Sequence, residues 1–174
     1  MTMHAAFAAE IDYRTMDTPA GAGHYIVIEG EIAPGSWSQF FRLVRQVGRP
    51  AGVYLDSEGG SVDDGLAIAK YIYEHELDTL VLRRCHSICA VMFLAGRKRA
   101  MHRDAALTVH NAYKQIGDWV VVDHLVNGTV AWFIGHMGYP LQLAKLWVST
   151  PTESAAPITP DMNETLELGF IVLD

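Results

Sequence analysis

Three short runs carry the residue types from which acyl-transfer chemistry is built. Ser87 stands where an apolar stretch begins after a β-rich one, a strand-to-helix junction that exposes a hydroxyl and aims a helix N-terminus at it. A serine there can serve as a nucleophile, and it can equally be an ordinary helix N-cap. Upstream, Ser57-Glu58-Gly59-Gly60 follows a short apolar run. Paired glycines after a strand let backbone N–H groups approach a reacting carbonyl oxygen, although the same pair makes a plain tight turn. His110 closes a third run and is followed by Asn111. If it falls at the end of a strand it reaches the same sheet edge as the other two loops, where a general base belongs. The other seven histidines stand in helical or exposed contexts and are read as core or surface residues.

The elements around these runs alternate in the manner of an α/β protein. Residues 24–28 are β-rich and stop at Gly30, and Pro34-Gly35-Ser36 then supplies a turn and a helix start. In the expected helix 36–47, Trp37, Phe40, Phe41, Val44 and Val47 recur at spacings of three and four, an apolar packing stripe. A strand at 52–56 runs into the Gly-Gly loop, which opens a helix over 62–75 with Asp63 and Asp64 in its first turn. A strand at 79–82, a sharp turn at Arg84-Cys85-His86-Ser87 and an apolar helix 88–95 closed by Gly96 come next, then a strand at 106–109. Beyond a turn at Gly117-Asp118, residues 119–134 read as one long helix loosened at Gly128, followed by a helix over 140–147. The segment 151–160 is loop-like, and a last helix over 160–168 ends at Gly169 before a terminal strand. Repeated βαβ units of this kind are right-handed and gather their loops at the carboxyl ends of the strands, where function is expected.

Length and composition set the frame. At 174 residues the chain suits one domain, read here as 24–174, preceded by a flexible, polar arm over 1–23. Half of the residues are hydrophobic and 19% are charged, a balance for a packed core or a subunit that buries more surface on assembly. A net charge of −7 without a basic run leaves no footprint for nucleic acid. Arg97, Lys98 and Arg99 are read as a solvated strand edge. No apolar run reaches the ~18 residues of a membrane helix, so no transmembrane segment is expected. Met1 to Ala9 lacks the basic and apolar regions of a secretory leader, yet Ala6-Phe7-Ala8 has the small-x-small form of a cleavage site. Cytoplasmic and periplasmic placement therefore both stay open. Cys85 and Cys89, the only cysteines, are spaced by four, outside the usual zinc pairing. They are read as two buried small apolar residues on a helix turn, with pairing as the alternative if the protein is exported.

Three stretches carry a family resemblance: Leu55-Asp56-Ser57-Glu58-Gly59-Gly60-Ser61-Val62, then Cys85-His86-Ser87-Ile88-Cys89-Ala90-Val91-Met92-Phe93-Leu94-Ala95-Gly96, then Leu107-Thr108-Val109-His110. Together, in order and spacing, they resemble the proteolytic subunits of Clp proteases, and more closely the small ClpP-like proteins held to be periplasmic. The resemblance spans about residues 25–172 and implies the ClpP/crotonase-like superfold of repeated β-β-α or βαβ units. It implies a serine peptidase in which Ser87 attacks a peptide carbonyl, His110 takes its proton, and the N–H groups of Ile88 and of the Gly59-Gly60 turn hold the oxyanion. Such chemistry needs no metal or organic cofactor. A peptide or protein substrate and a homo-oligomer are further implications, whereas no motif names an ATPase partner.

The chain departs from the family in two places. Relatives usually carry a glycine four residues before the serine, where this chain has Arg83, and small residues in place of Cys85-His86. The family's aspartate has no counterpart in the matching loop, where Glu153 is the nearest carboxylate and is expected to orient His110; Asp161 is read as a helix N-terminal charge. The uncertain acid keeps a catalytically degenerate subunit, acting as an assembly or binding module, as the alternative. A crotonase-type acyl-CoA enzyme shares the superfold but works with carboxylates rather than a Ser/His pair, and fits less well.

Overall fold

The computed structural model describes residues 8–18 and 21–174. Its centre is a six-stranded sheet in the order β1-β2-β3-β4-β6-β11. The strands are β1 (Glu10–Thr18), β2 (Gly21–Glu29), β3 (Gly52–Asp56), β4 (Asp78–Val81), β6 (Arg99–His102) and β11 (Ile171–Leu173). All neighbours run parallel except the β1–β2 hairpin. A small sheet lies beside it, with β5 (Arg84–His86) parallel to β7 (Ala106–Val109) and β10 (Ala156–Pro157) on the far side of β7. The helices are α1 (Ser36–Val47), α2 (Val62–Glu74), α3 (Ile88–Leu94), α4 (His124–His136), α5 (Leu141–Ser149) and α6 (Pro160–Thr165).

One face of the central strands, with Ile26, Ile28, Val53, Leu55, Val81 and Met101, joins the helices in the main core. Period-two alternation sends Val27, Tyr54 and Leu80 to a smaller apolar strip on the opposite face. Every residue of α3 is buried, so this helix has no solvent face and its two ends are fixed by what they meet. Its carboxyl end is held by Tyr139, whose hydroxyl donates to the Leu94 carbonyl at 2.7 Å, and burial pushes that phenol up to about 12. Its flank is set by Gly65 of α2: a Cβ there would stand 2.4 Å from Ile88 Cγ1. The close α2–α3 approach that seats Ile88 therefore needs a glycine.

The segment read as a flexible arm is, from Glu10 to Thr18, a strand paired along its whole length with β2. Ile11 is buried and Tyr13 and Met16 pack on the two cores, while Asp12 and Arg14 face out and Arg14 reaches Glu29 at 3.0 Å. Alternating polar residues disguised the strand. Residues 1–7, with most of the Ala6-Phe7-Ala8 stretch, and Pro19 lie outside the described residues. Arg99 opens β6, an interior strand, so the Arg97–Arg99 cluster is not a sheet edge: Arg97 pairs with Asp78 and Arg99 donates to the carbonyls of Gly96 and Leu168.

The long helix expected over 119–134 is divided. β8 (Tyr113–Ile116) and β9 (Trp119–Val122) form a hairpin about Gly117-Asp118, and α4 starts only after Asp123, whose carboxylate caps it by accepting from the Val126 N–H. Three successive valines favour the strand. α4 runs through Gly128 unbroken. Its Asn127 is buried and ties three elements: Oδ1 accepts from the Ala112 N–H at 2.6 Å and from Trp147 Nε1 at 2.7 Å, and Nδ2 donates to the Ala112 carbonyl at 2.9 Å. The chain just after His110 is thereby anchored to α4 and α5.

Replacing Asn127 with leucine leaves these buried groups unpaired, and denaturant unfolding should show a loss of at least about 2 kcal/mol. A stability within 0.5 kcal/mol of wild type, as at a typical surface site, would remove Asn127 from this role.

Candidate active site

Ser87 joins β5 to α3 in a backbone conformation that non-glycine residues rarely adopt, φ 55° and ψ −126°. Such strain costs about 1–3 kcal/mol and persists only where the surroundings impose it. Here the Ser87 N–H donates to the Thr108 carbonyl at 2.9 Å on one side and its own carbonyl accepts from the Ala90 N–H at 3.0 Å on the other. β5 is locked in turn by paired bonds with Ser57, the His86 N–H donating to Ser57 O at 2.9 Å and the Ser57 N–H to Arg84 O at 3.2 Å. The Ser87 side chain makes no capping bond to α3. The ordinary N-cap role is therefore not taken, and the serine instead lines an open cleft of about 750 Å³.

His110, Gly59, Gly60, Glu31, Arg84 and Tyr113 also line that cleft. The loops after β3, β5 and β7 thus converge as the strand order requires. Gly59 has φ 87°, and a Cβ on it would fall 2.8 Å from Ser87 Cβ; on Gly60, at φ 134°, it would fall 2.2 Å from the Ile32 carbonyl oxygen. Both positions need glycine, and Gly59 lies directly on the serine turn. Their donors differ. The Gly59 N–H is bound to Ser57 Oγ at 3.0 Å, whereas those of Gly60 and Ile88 have no acceptor among the described residues. Ile88 itself is buried beneath the cleft, with its N–H at the start of α3.

His110 and Ser87 make no direct hydrogen bond, although both face the cleft. The imidazole is held through Nδ1 by the backbone carbonyl of Asn111 at 2.9 Å. A carbonyl only accepts, so this bond puts the proton of the neutral ring on Nδ1 and leaves Nε2 with a lone pair. Asn111 is buried and held twice: its N–H donates to Thr150 O at 2.9 Å and its Oδ1 accepts from the Thr152 hydroxyl at 2.8 Å.

Glu153, expected to orient His110, makes no hydrogen bond to it; the partner of Nδ1 is the Asn111 carbonyl. Glu153 is exposed in the turn after Pro151 and has no hydrogen bond or ion pair among the described residues. The neighbouring Thr152 points inward in its place and acts on Asn111. Asp161 sits in the first turn of α6, as a helix N-terminal charge. The one sequence hint of this arrangement was Asn111 directly after the histidine; nothing in the pattern distinguished a backbone carbonyl as its partner.

Beside the cleft, and in part lining it, a charged cluster fixes β5. Asp56, buried at the end of β3, takes Arg83 at 3.2 Å and Arg84 at 3.1 Å, and Arg84 also pairs with Glu58 at 2.5 Å. His86 is hydrogen-bonded to Thr108 Oγ1 at 2.6 Å, with Glu58 at 3.6 Å from its other nitrogen. Arg83, standing where relatives carry glycine, thus faces Asp56, while Arg84 reaches the cleft wall. Cys85 and Cys89, read as two separate buried residues, are buried but joined as a disulfide across Ser87.

Among solved structures, a mutant of the 1510-N membrane-bound stomatin-specific protease is similar at a TM-score of 0.63 and 14% identity, over 84% of this chain and 77% of that one. A second mutant of that protease, in complex with a substrate peptide, gives 0.62 and 16% over 84% and 73%. A peptidase from Plasmodium falciparum gives 0.63 and 14%, over 86% of this chain and 95% of that one. At such identities the likeness carries the fold. No curated protein matches the sequence. The family model for Clp protease matches residues 26–123, a segment that contains Gly59, Gly60, Ser87, Ile88 and His110. On that match, over more than half of its length, the chain belongs to the Clp protease family, a family of peptidases.

Proposed function

We propose that the protein is a serine peptidase working with a Ser87–His110 pair. The observation that carries the reading is a serine in a strained turn, free of any capping bond, on a cleft shared with a histidine whose Nε2 is unengaged. His110 Nε2 accepts the Ser87 hydroxyl proton as Oγ attacks the peptide carbonyl, and the developing oxyanion is taken by the Gly60 and Ile88 N–H groups. Gly59 contributes its lack of a side chain, which lets the loop reach the serine. The imidazolium returns its proton to the leaving amine, and water then releases the acyl group by the same steps in reverse.

The Asn111 carbonyl fulfils one half of the usual carboxylate's task. It fixes the tautomer and ring plane but brings no full negative charge to the imidazolium, so a slower enzyme than a full triad is expected, by up to about 10⁴ in turnover. A catalytically silent subunit is the second reading, favoured only by the absence of a carboxylate at His110. The family match and the Ser/His pair weigh against a crotonase-type acyl-CoA enzyme.

A homo-oligomer is part of the proposal. Trp119, Leu125 and Trp132 are 76%, 82% and 64% exposed on the β8–β9 hairpin and α4. Large apolar side chains exposed to this extent support a surface that is covered on association.

A fluorophosphonate probe should label the wild type and neither Ser87→Ala nor His110→Ala, with all three proteins folded by circular dichroism. Labelling of Ser87→Ala to the wild-type extent would refute the nucleophile, and no labelling of any of them would favour the silent subunit.

The orienting role separates two neighbouring residues. Thr152→Val, by removing one hydrogen bond worth about 1 kcal/mol, should lower kcat roughly fivefold. Glu153→Gln should leave kcat/KM within about twofold, as expected of a residue away from the site. The opposite order would return Glu153 to the site.

Trp132→Glu should shift sedimentation toward the monomer without unfolding the chain. An unchanged sedimentation coefficient would exclude α4 from the contact.

A further inference from the structure

The two cysteines bracket Ser87 symmetrically, one on β5 and one in the first turn of α3, and the structure joins them with their Cα atoms 5.1 Å apart. Resting on the peptidase reading above, we infer that the Cys85–Cys89 disulfide is a positioning element that holds the Ser87 turn in its attacking conformation and ties activity to an oxidised state.

A cross-link constrains the unfolded chain in proportion to the logarithm of the loop it closes, and a sequence separation of 4 closes almost the shortest loop available. Its effect on global stability is correspondingly small. The local effect is not. The closed ring contains the one residue of the site whose backbone is forced to a positive φ without being glycine.

The remaining restraints on that turn come from different sides and leave a gap the bridge fills. The Thr108 carbonyl holds the Ser87 N–H, and Ser57 holds both ends of β5, all on the strand side. On the helix side, the Ala90 N–H bond to Ser87 O is the single hydrogen bond that ties the serine to the first turn of α3. The disulfide is the covalent link between the two sides. Without it, Ser87 can relax toward an ordinary N-cap conformation, in which its hydroxyl bonds a backbone N–H of α3 rather than facing the cleft.

Both cysteines are fully buried, so a reductant reaches them only when the turn opens. Reduction then takes two electrons and two protons from a dithiol. One of its thiolates attacks a bridge sulfur to give a mixed disulfide, and its second sulfur displaces that link, leaving Cys85 and Cys89 as thiols and the reagent as its cyclic disulfide.

The test compares protein produced under oxidising conditions, the same protein reduced with dithiothreitol, and the double variant Cys85→Ala, Cys89→Ala. Amide hydrogen exchange over residues 84–90 should rise about tenfold or more in the two unbridged forms, with β3 unchanged. Fluorophosphonate labelling and kcat should fall about tenfold with KM within twofold, and both should recover when glutathione disulfide re-forms the bridge. A bridge that only stabilises would change the melting temperature and leave the kcat of the folded fraction alone. Equal exchange over 84–90 with and without the bridge overturns the inference, as does the finding of two alkylatable thiols in fully active oxidised protein. If 84–90 loosens on reduction but no form labels, the bridge holds the turn as inferred and it is the peptidase reading that fails.

Discussion

The arrangement depends on one strained residue. Ser87 holds φ 55° because β5 is fastened on both sides, to Ser57 and to Thr108, α3 is buried along its whole length, and the Cys85–Cys89 disulfide joins the two. The burial of α3 depends in turn on Gly65, which lets α2 approach Ile88, and on Tyr139, which closes its far end. An exposed helix would pivot to recover the 1–3 kcal/mol of strain, on the order expected for such a backbone. A helix inside a close-packed core cannot. The site is thus stressed at the surface and made rigid from beneath.

Full charges meet at β5, Asp56 with Arg83 and Arg84, and Glu58 with Arg84, and the Glu58–Arg84 pair also lines the cleft. At the proposed reacting residues stand backbone dipoles: the Gly60 and Ile88 N–H groups, which have no acceptor among the described residues, and the Asn111 carbonyl on His110. Fixed dipoles aimed at developing charge need no reorganisation during reaction, which is their advantage. In the proposed mechanism the disadvantage is at the histidine, where a carbonyl stabilises an imidazolium less than a carboxylate does.

How much of this was legible in the sequence follows from where the signals are local. α1 and β7 have the bounds that the apolar periodicity and its Gly and Pro punctuation predict, and the three site runs converge because βαβ topology leaves them no other edge. β1 was missed because Asp12 and Arg14 face solvent and its pairing partner lies along β2. β9 falls within the helix expected over 119–134 because neither strand of its hairpin has a buried face to give a period of two. Glu153 is the carboxylate that residue type picks out in its loop, whereas the hydrogen bonds there run from the Thr152 hydroxyl to Asn111 and, on His110, to a backbone carbonyl, which every residue carries. The disulfide was underweighted because a spacing of four suits a helix turn, whereas Cys85 is on a strand and only Cys89 on the helix.

The most direct test is a crystal structure of the protein after reaction with a fluorophosphonate. The account predicts phosphorus bonded to Ser87 Oγ, the phosphonyl oxygen within about 2.7–3.1 Å of both the Gly60 and the Ile88 nitrogens, and His110 Nδ1 still on the Asn111 carbonyl. An adduct on another serine, or a phosphonyl oxygen turned away from both nitrogens, would contradict it.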